Sequence, residues 1–203
     1  MLYAIAHFLK DKLPWIWDMM DLLNSWLFGL RYGRKLRAVE SATLEKYGRK
    51  CGMKIVPMRE VSAEMLEKFF AAQSEEAYEF FKPHGFEAKS IKKLQRLNSF
   101  LAYIMLVGDN VAGYCFIRSF FFGKGFRGRM VGMSHRGRGL GTLMNRMMND
   151  VGFGIGLRLF ETVSKRNIAS YRSAMSASNV KVLEEMEDDE LYLEIINSKE
   201  NNI

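Results

Sequence analysis

The chain has 203 residues, a net charge of +7, and 48% hydrophobic and 26% charged residues, which fits one globular domain with a sizeable core and an extension. Its two cysteines, Cys51 and Cys115, belong to no CxxC or Cys/His cluster, so the composition argues against a metal site and a disulfide framework. The basic excess favours an anionic partner, such as a phosphorylated ligand, a membrane surface or nucleic acid.

Residues 1–53 are predicted to form a helical extension that is both apolar and basic. Pro14 is expected near the start of the helix, and Gly29 and Gly33 near its end. Charged residues interrupt the apolar stretch at Lys10, Asp11, Lys12, Asp18 and Asp21. No apolar run approaches the ~18 residues that a spanning helix needs, and no basic n-region comes first. We therefore expect no spanning helix, no secretory signal and a cytoplasmic protein.

From Lys54 the pattern alternates between strands and helices. The segment KIVPM predicts a strand, and Ser62 can cap a helix that runs to about Lys82. A short helix is predicted over residues 88–97. Two apolar strands around Gly108-Asp109-Asn110 predict a hairpin.

The second half of the chain continues the alternation after the strand GRMVGMS. Apolar residues at helical spacing predict a helix that ends in Gly152, Gly154 and Gly156. Residues 157–163 predict a strand, NIASYRSAM a helix, and VKVLEEM with ELYLEII a closing strand pair. The predicted fold is thus a mixed α/β domain over residues 54–196, followed by a frayed tail over 197–203.

Residues 134–141, SHRGRGLG, separate a predicted strand from a predicted helix. A helix N-terminus exposes unpaired N–H groups and partial positive charge, and glycines let an anion approach them. With Arg136 and Arg138, the segment predicts a phosphate or pyrophosphate cradle. It lacks the Gly-Lys-Ser/Thr of a P-loop and the G-x-G-x-x-G spacing of a Rossmann fold. It also differs from aromatic-interleaved RG segments that bind nucleic acid, so we expect no nucleic-acid partner. A glycine-rich turn with solvated arginines is the alternative.

The segment VGMSHRGRGLG resembles the Q/R-x-x-G-x-G/A signature of the GNAT superfamily of acyl-CoA N-acyltransferases, with Arg136, Gly139 and Gly141 at its fixed positions. Downstream, LRLFETVSKRNIAS resembles that family's fifth strand, its Asn and its fourth helix. Upstream, FFKPHGF and GYCFIR resemble a bacterial subgroup found in surface-polysaccharide gene clusters. The resemblance covers about residues 54–196. It implies a largely antiparallel twisted sheet with a parallel pair where two strands splay apart.

The resemblance further implies acetyl-CoA as co-substrate and a primary amine that attacks the thioester directly. Catalysis would then consist largely of positioning and carbonyl polarisation. Loop amides would bind the pyrophosphate, and the fourth strand near Met130–Ser134 would pair with the pantetheine arm. The implied cofactor-binding residues are Val131, Gly132, Met133, Arg136, Gly137, Arg138, Gly139, Leu140, Gly141, Thr142 and Asn167. A helix N-cap is an equally good and compatible role for Asn167.

The chain departs from the family at its catalytic acid, because Ala174 occupies the usual Tyr position. Tyr171, on the same helical side, is a candidate substitute, and packing is its alternative. Glu161 is a candidate general base with a raised pKa, against an edge charge paired with an arginine. His135 beside the cradle is a candidate proton relay, against a surface histidine. No metal is expected.

The acceptor is interpreted as an amino-sugar nucleotide, with a peptide or polyamine amine as the runner-up. His84 and Phe86 of the PHGF segment and Phe120 of the aromatic run Phe120–Phe122 are the candidate substrate-binding residues. His84 is also a candidate relay. A surface role for His84 and core packing for the phenylalanines are the alternatives. A CoA-binding or scaffold protein of weak activity is the second class of function.

Apolar residues of the extension recur at helical spacing and precede a basic cluster. The apolar set is Ile16, Met19, Met20, Leu23, Trp26, Leu27 and Leu30, and the basic set is Arg31, Arg34, Lys35 and Arg37. This pattern suits a helix lying in a membrane interface, which would place the protein at the inner face of the membrane. The alternative is that residues 13–37 pack on the catalytic domain or on a second subunit, as in a homodimer.

Overall fold

The structure is a computed structural model that describes residues 14–186 and 189–197. Residues 1–13 lie outside it, and so do residues 187–188 and positions 198–203 of the predicted tail. Seven strands of the described chain form one sheet, namely β1 (Lys54–Pro57), β2 (Phe100–Val107), β3 (Asn110–Ser119), β4 (Lys124–Val131), β5 (Arg158–Ser164), β6 (Asn179–Glu185) and β7 (Glu190–Ile196). Their order is β1-β2-β3-β4-β5-β7-β6, and only the β4–β5 pair is parallel. The predicted mixed sheet is confirmed.

Helices cover both faces of this sheet. They are α1 (Pro14–Cys51), α2 (Ala63–Ala71), α3 (Glu75–Glu79), α4 (Ala88–Gln95), α5 (Leu140–Ile155) and α6 (Ile168–Ala177), with 3-10 turns at Met58–Glu60 and Met133–His135. Alternate residues of a strand point to opposite faces. Tyr103 of β2 therefore packs in the cluster that contains α1 and α5, whereas its neighbour Ile104 packs in the cluster that contains α2 and α4.

Helix α1 is much longer than the glycines at 29 and 33 predicted, because it passes through both and ends at Cys51. Tertiary packing overrides the local propensity here: Phe28 and Tyr32 are buried in the same cluster as α5. Buried Glu40 also bonds to the sheet side, accepting from Tyr103 Oη at 3.1 Å and from Arg59 Nη2 at 2.7 Å. The described part of the extension is thus packed on the domain over most of its length.

The helix that begins after Ser62 is shorter than predicted. Ser62 is the N-cap, as expected, and its Oγ accepts from Met65 N at 3.1 Å. The helix ends at Ala71, however, and the chain turns into the separate helix α3. The Tyr78 hydroxyl donates to the carbonyl of Phe70, which folds α3 back on α2.

Helix α5 passes through Gly152 and Gly154, which the sequence placed at its end, and stops at Gly156 with φ 89°. A Cβ at Gly152 would lie 2.7 Å from Leu159 Cδ2, so glycine lets α5 approach β5 closely. The hairpin turn at Gly108 and the closing pair β6–β7 are as predicted, and β7 lies between β5 and β6.

Candidate functional site

Strands β4 and β5 splay apart in the middle of the sheet. They pair at only three positions, from Lys124 opposite Arg158 to Phe126 opposite Phe160. Beyond these, β4 keeps its pairing with β3 and β5 keeps its pairing with β7. A cleft of about 780 Å³ opens at the splay, between β4, β5, α3 and the N-terminal turns of α5 and α6. Its volume is in the range of small-molecule sites.

The glycine-rich loop closes one end of this cleft. Gly137 and Gly139 have φ values of 75° and 76°, which side-chain-bearing residues rarely adopt, and a Cβ at either would meet no described atom within 4 Å. Helix α5 begins directly after Gly139, and within the described chain no side chain caps it and its first turn contains no acid. Its N-terminal N–H groups and positive dipole end therefore remain available to an anion.

Most of the predicted cofactor-binding residues line the cleft. These are Val131, Arg136, Gly137, Gly139, Leu140, Gly141, Thr142 and Asn167. The other three lie outside the lining: Gly132 is buried and donates to Ala112 O at 2.9 Å, while Met133 and Arg138 are exposed. Asn167 is the N-cap of α6, with its Oδ1 accepting from Ser170 N at 3.0 Å.

Glu161 is buried between two arginines of β4. Its Oε2 accepts from Arg127 Nε and its Oε1 from Arg129 Nη1, each at 2.6 Å. Burial alone would raise the pKa of this carboxyl, but Arg129 and Arg127 outweigh it and hold the pKa below its ordinary value. The sequence expectation of a raised pKa is wrong, because the arginine partners stabilise the charged form. Glu161 links β4 to β5 across the start of the splay.

Tyr171 and His135 occupy different environments. Tyr171 packs against Val163, Leu191 and Leu193 and does not line the cleft. Ala174, at the position where the resemblance implied a Tyr, is fully buried. His135 does line the cleft, and its Nδ1 lies 2.9 Å from Ser134 Oγ. Of these candidates for proton transfer, His135 is the one that borders the cleft.

The three predicted substrate-binding residues lie away from the cleft lining. His84 is enclosed by aromatic rings, and its Nε2 lies 2.7 Å from Tyr114 Oη. Burial lowers the pKa of His84. Phe86 packs on Phe70 with ring centroids 4.4 Å apart, and Phe120 stacks on Phe122 at 5.3 Å. Core packing, the alternative given for the phenylalanines, applies to Phe86, which packs on the α2 face of the sheet. For His84 the alternative was a surface role, but its ring instead contacts the rings of Phe70, Phe86 and Tyr114 in the same cluster.

Several cleft residues were missed at the sequence level. They are Glu76, Phe80 and Phe81 from α3 and the turn after it, Arg127 and Arg129 of β4, Arg166 just before α6, and Arg172 within α6. Arg127 and Arg129 are two residues apart in a strand, and this spacing places both charges on one face of the sheet, which could have been noted from the sequence. No local sequence pattern indicates that α3 contributes to the cleft. Its contact with the α6 side, between Arg166 and Glu79 at 2.6 Å, joins residues that are far apart in the chain.

Neither a protein-family model nor a curated protein sequence matches this chain. Solved structures do. The GNAT domain of S. lividans PAT matches with a TM-score of 0.61 and 17% identity, over 70% of this chain and 89% of that one. The chain has the fold of the GNAT acetyltransferases.

Two further GNAT-fold structures extend the comparison. The N-acetyltransferase PseH of Campylobacter jejuni matches with a TM-score of 0.54 and 16% identity, over 72% of this chain and 99% of that one. AAC(6′)-Ib in complex with paromomycin and acetyl-CoA matches with a TM-score of 0.54 and 16% identity, over 74% and 96% of the two chains. At this identity the likeness concerns the fold alone.

Proposed function

We propose that the protein transfers an acetyl group from acetyl-CoA to a primary amine. The observation that carries this proposal is the uncapped, glycine-lined N-terminus of α5 at the splay between β4 and β5. Helix N-terminal amides suit a pyrophosphate, and the unpaired edge of β4 suits an extended amide-bearing arm. The same fold holds acetyl-CoA in AAC(6′)-Ib.

Each part of the coenzyme has candidate partners in the cleft. The amides from Gly137 to Thr142 and the Arg136 guanidinium would bind the pyrophosphate, and β4 near Val131 would bind the pantetheine arm. Asn167 would contact that arm through Nδ2 while its Oδ1 caps α6. The coenzyme supplies an activated thioester, and the chain supplies orientation and charge.

In the proposed reaction the neutral amine attacks the thioester carbonyl carbon, the C–S bond breaks, and the coenzyme leaves as a thiolate. His135 lies at the cleft and is the candidate that accepts the amine proton, through water. Glu161 is instead a positioning residue, because both of its oxygens already accept from arginines. It holds Arg127 and Arg129 at the base of the cleft.

Among the residues that the structure describes, neither Tyr171 nor Ala174 can protonate this thiolate at the cleft. Tyr171 packs away from the cleft, and the methyl side chain of Ala174 has no ionisable proton. A thiol pKa of about 8.5 makes the thiolate a tolerable leaving group even without an acid. General acids contribute roughly 10²–10⁴-fold, so turnover would be slow relative to an enzyme that has one. This is the observation that favours the second candidate function, a CoA-binding protein of weak activity.

For the acceptor we propose an amino sugar carried on a nucleotide, with a peptide or polyamine amine as the runner-up. The cleft offers the rings of Phe80 and Phe81 and the carboxylate of Glu76 on its α3 side. Aromatic rings can stack on a sugar face, and a carboxylate attracts a cationic amine. These residues replace His84, Phe86 and Phe120 as the acceptor-side candidates.

The proposal is tested by thermal unfolding with acetyl-CoA, followed by turnover assays. At 100 times Kd, a ligand that binds only the folded state adds about 2.7 kcal/mol, which raises Tm by roughly 5–10 °C. Thiol release is then measured with amino-sugar nucleotides, polyamines and peptides. Stabilisation with turnover supports the acetyltransferase, and stabilisation without turnover supports the binding protein. No stabilisation contradicts both.

A further inference from the structure

The N-terminal part of α1 carries a row of large apolar side chains that face away from the domain. They are between 51% and 68% exposed, and we name them the α1 stripe: Trp15, Met19, Met20, Leu22, Leu23, Trp26 and Leu30. The opposite side of the same turns is buried, at Ser25 and Phe28. The stripe is about 22 Å long at 1.5 Å per helical residue. Contiguous apolar surface of this kind marks an interaction site.

A short loop lies beside the stripe and adds two exposed rings. Asn24 of α1 donates from Nδ2 to Ser119 O at 3.0 Å and accepts from Phe121 N at 2.9 Å, and Arg31 Nη1 donates to Phe121 O at 3.0 Å. Phe121 and Phe122 are 41% and 55% exposed. These hydrogen bonds fix the loop to the helix, so the two rings move with the stripe.

Within the described chain, the unpaired charges around the stripe are positive. Its two acids are compensated by the domain, because Asp18 pairs with Lys93 and Asp21 pairs with Arg118 at 3.1 Å. Exposed basic residues follow the stripe directly, and we name them the α1 basic cluster: Arg31, Arg34, Lys35 and Arg37. The surface as a whole is therefore apolar at one end and positive at the other.

We propose that the α1 stripe, with Phe121 and Phe122, docks the protein on a bilayer that contains anionic lipid. Tryptophan and phenylalanine suit the boundary between headgroups and acyl chains, and basic residues suit the anionic headgroups. A second copy of the chain would cover the apolar side chains but would leave the basic cluster without a counter-charge. Within residues 14–186 and 189–197 no helix is long and apolar enough to cross a membrane. In the proposed docking α1 lies along the surface, because its opposite face is buried against the domain at Ser25 and Phe28.

The position of the cleft is compatible with this docking. Strand β4 starts at Lys124, next to the Phe121–Phe122 loop, lines the cleft from Arg127 onward and ends at Val131, just before the glycine-rich loop. Its seven steps span about 23 Å at 3.3 Å per residue. The stripe thus lies near the start of β4 and the glycine-rich loop lies beyond its other end, so docking through the stripe keeps the glycine-rich loop away from the bilayer.

The test is co-sedimentation of the full chain with vesicles of phosphatidylcholine alone or with phosphatidylglycerol added. We expect binding to the anionic vesicles. The double variant Trp26→Glu/Leu30→Glu should weaken it at least about tenfold, since both side chains leave the acyl boundary. The variant Arg34→Gln/Lys35→Gln/Arg37→Gln should weaken it by roughly 100-fold, at about fivefold per charge.

Matched variants control for surface charge and hydrophobicity in general. Val107→Glu/Val182→Glu changes two exposed apolar residues elsewhere, and Lys50→Gln/Lys68→Gln/Lys89→Gln removes three exposed charges elsewhere. Both should bind as the parent chain does, and circular dichroism checks that every variant is folded.

The proposal is overturned if the parent chain stays in the supernatant, if a control variant weakens binding as much as its stripe or cluster counterpart, or if phosphatidylcholine alone binds equally well. Sedimentation velocity tests the alternative occupant, which is a second copy of the chain. If the parent chain is a dimer that does not bind vesicles, and Trp26→Glu/Leu30→Glu dissociates it, then the stripe is a contact between two copies.

Discussion

Arg136 and Arg138 are two residues apart in the same loop, yet only Arg136 lines the cleft. We expect Arg136→Gln to weaken coenzyme A binding by about 10–100-fold, because a hydrogen bond to a charged group contributes roughly 1.5–3 kcal/mol. Arg138→Gln removes the same charge from the outer side of the loop and should change Kd by less than about threefold. Isothermal titration calorimetry with coenzyme A measures both.

The pair is informative because the two variants have the same net charge. An equal loss of affinity in both variants would mean that the loop attracts the coenzyme only through its overall charge. Unchanged Kd in both would mean that the loop is a turn with solvated arginines, which is the alternative that the sequence left open.

Glu161 tests whether a buried carboxylate in the sheet is catalytic or structural. Breaking a buried ion pair by removing one partner costs roughly 3–5 kcal/mol, so we expect Glu161→Gln to lower the free energy of unfolding by about that amount at pH 7. Glu194→Gln removes the partner of the exposed Arg158 and is the matched control, with an expected loss below about 1 kcal/mol. Urea unfolding measures both.

The pH dependence of this difference follows from the lowered pKa of Glu161, whose charged form its arginines stabilise. A lowered folded-state pKa contributes stability that is present above the unfolded-state pKa and is lost as the pH falls through the folded-state pKa. The difference in the free energy of unfolding between the parent chain and Glu161→Gln should therefore begin to shrink below about pH 4.5. A gap that grows on acidification would contradict the ion-pair account.

At the scale of the element, α1 has two faces with different roles over the same turns. Phe28 is fully buried in the main cluster, whereas Trp26 is 59% exposed. We expect Phe28→Ala to cost roughly 3–5 kcal/mol and Trp26→Ala less than about 0.5 kcal/mol in chemical denaturation. A large loss at Trp26 would show that the stripe packs on protein rather than facing outward.

Removal of α1 would disrupt the core of the domain as well as remove the stripe. The helix contributes Phe28, Tyr32, Leu44 and Tyr47 to the core. A chain that starts near Lys54 would expose the face of the sheet and of α5 that these residues cover, so its insolubility would not separate membrane docking from packing. Substitutions of exposed stripe residues keep the core intact and do separate them.

At the scale of the whole molecule, the net charge of +7 is unevenly placed with respect to the cleft. Five arginines and two glutamates line the cleft, which leaves a net charge of +3. Salt should screen the attraction of this surface for the coenzyme phosphates, so we expect the Kd of coenzyme A to rise about tenfold between 50 and 500 mM NaCl. Acetyl-pantetheine carries no phosphate, and its Kd should change by less than about twofold. Equal salt responses for the two ligands would contradict binding at the cradle.

Features that depend on neighbouring residues could be predicted from the sequence. Ser62 as a cap, the turn at Gly108 and the strand–loop–helix around residues 134–141 are all local, because a capping oxygen or a positive φ acts within a few residues. The order of strands and helices followed from hydrophobic period, and with the GNAT resemblance it gave the correct fold class.

Which side chains share an environment depends on contacts between residues far apart in the chain. Glu161 meets Arg127 and Arg129 from a strand more than thirty residues away, and this reversed the expected direction of its pKa. His84 and Phe86 had a motif-like neighbourhood in sequence, but their segment folds into the aromatic cluster on the α2 face. Helix α1 continued past its glycines because the sheet and α5 bury one side of it. Long-range burial and ion pairing outweigh local propensities of a few tenths to about 1 kcal/mol per residue, and no window of sequence contains both partners.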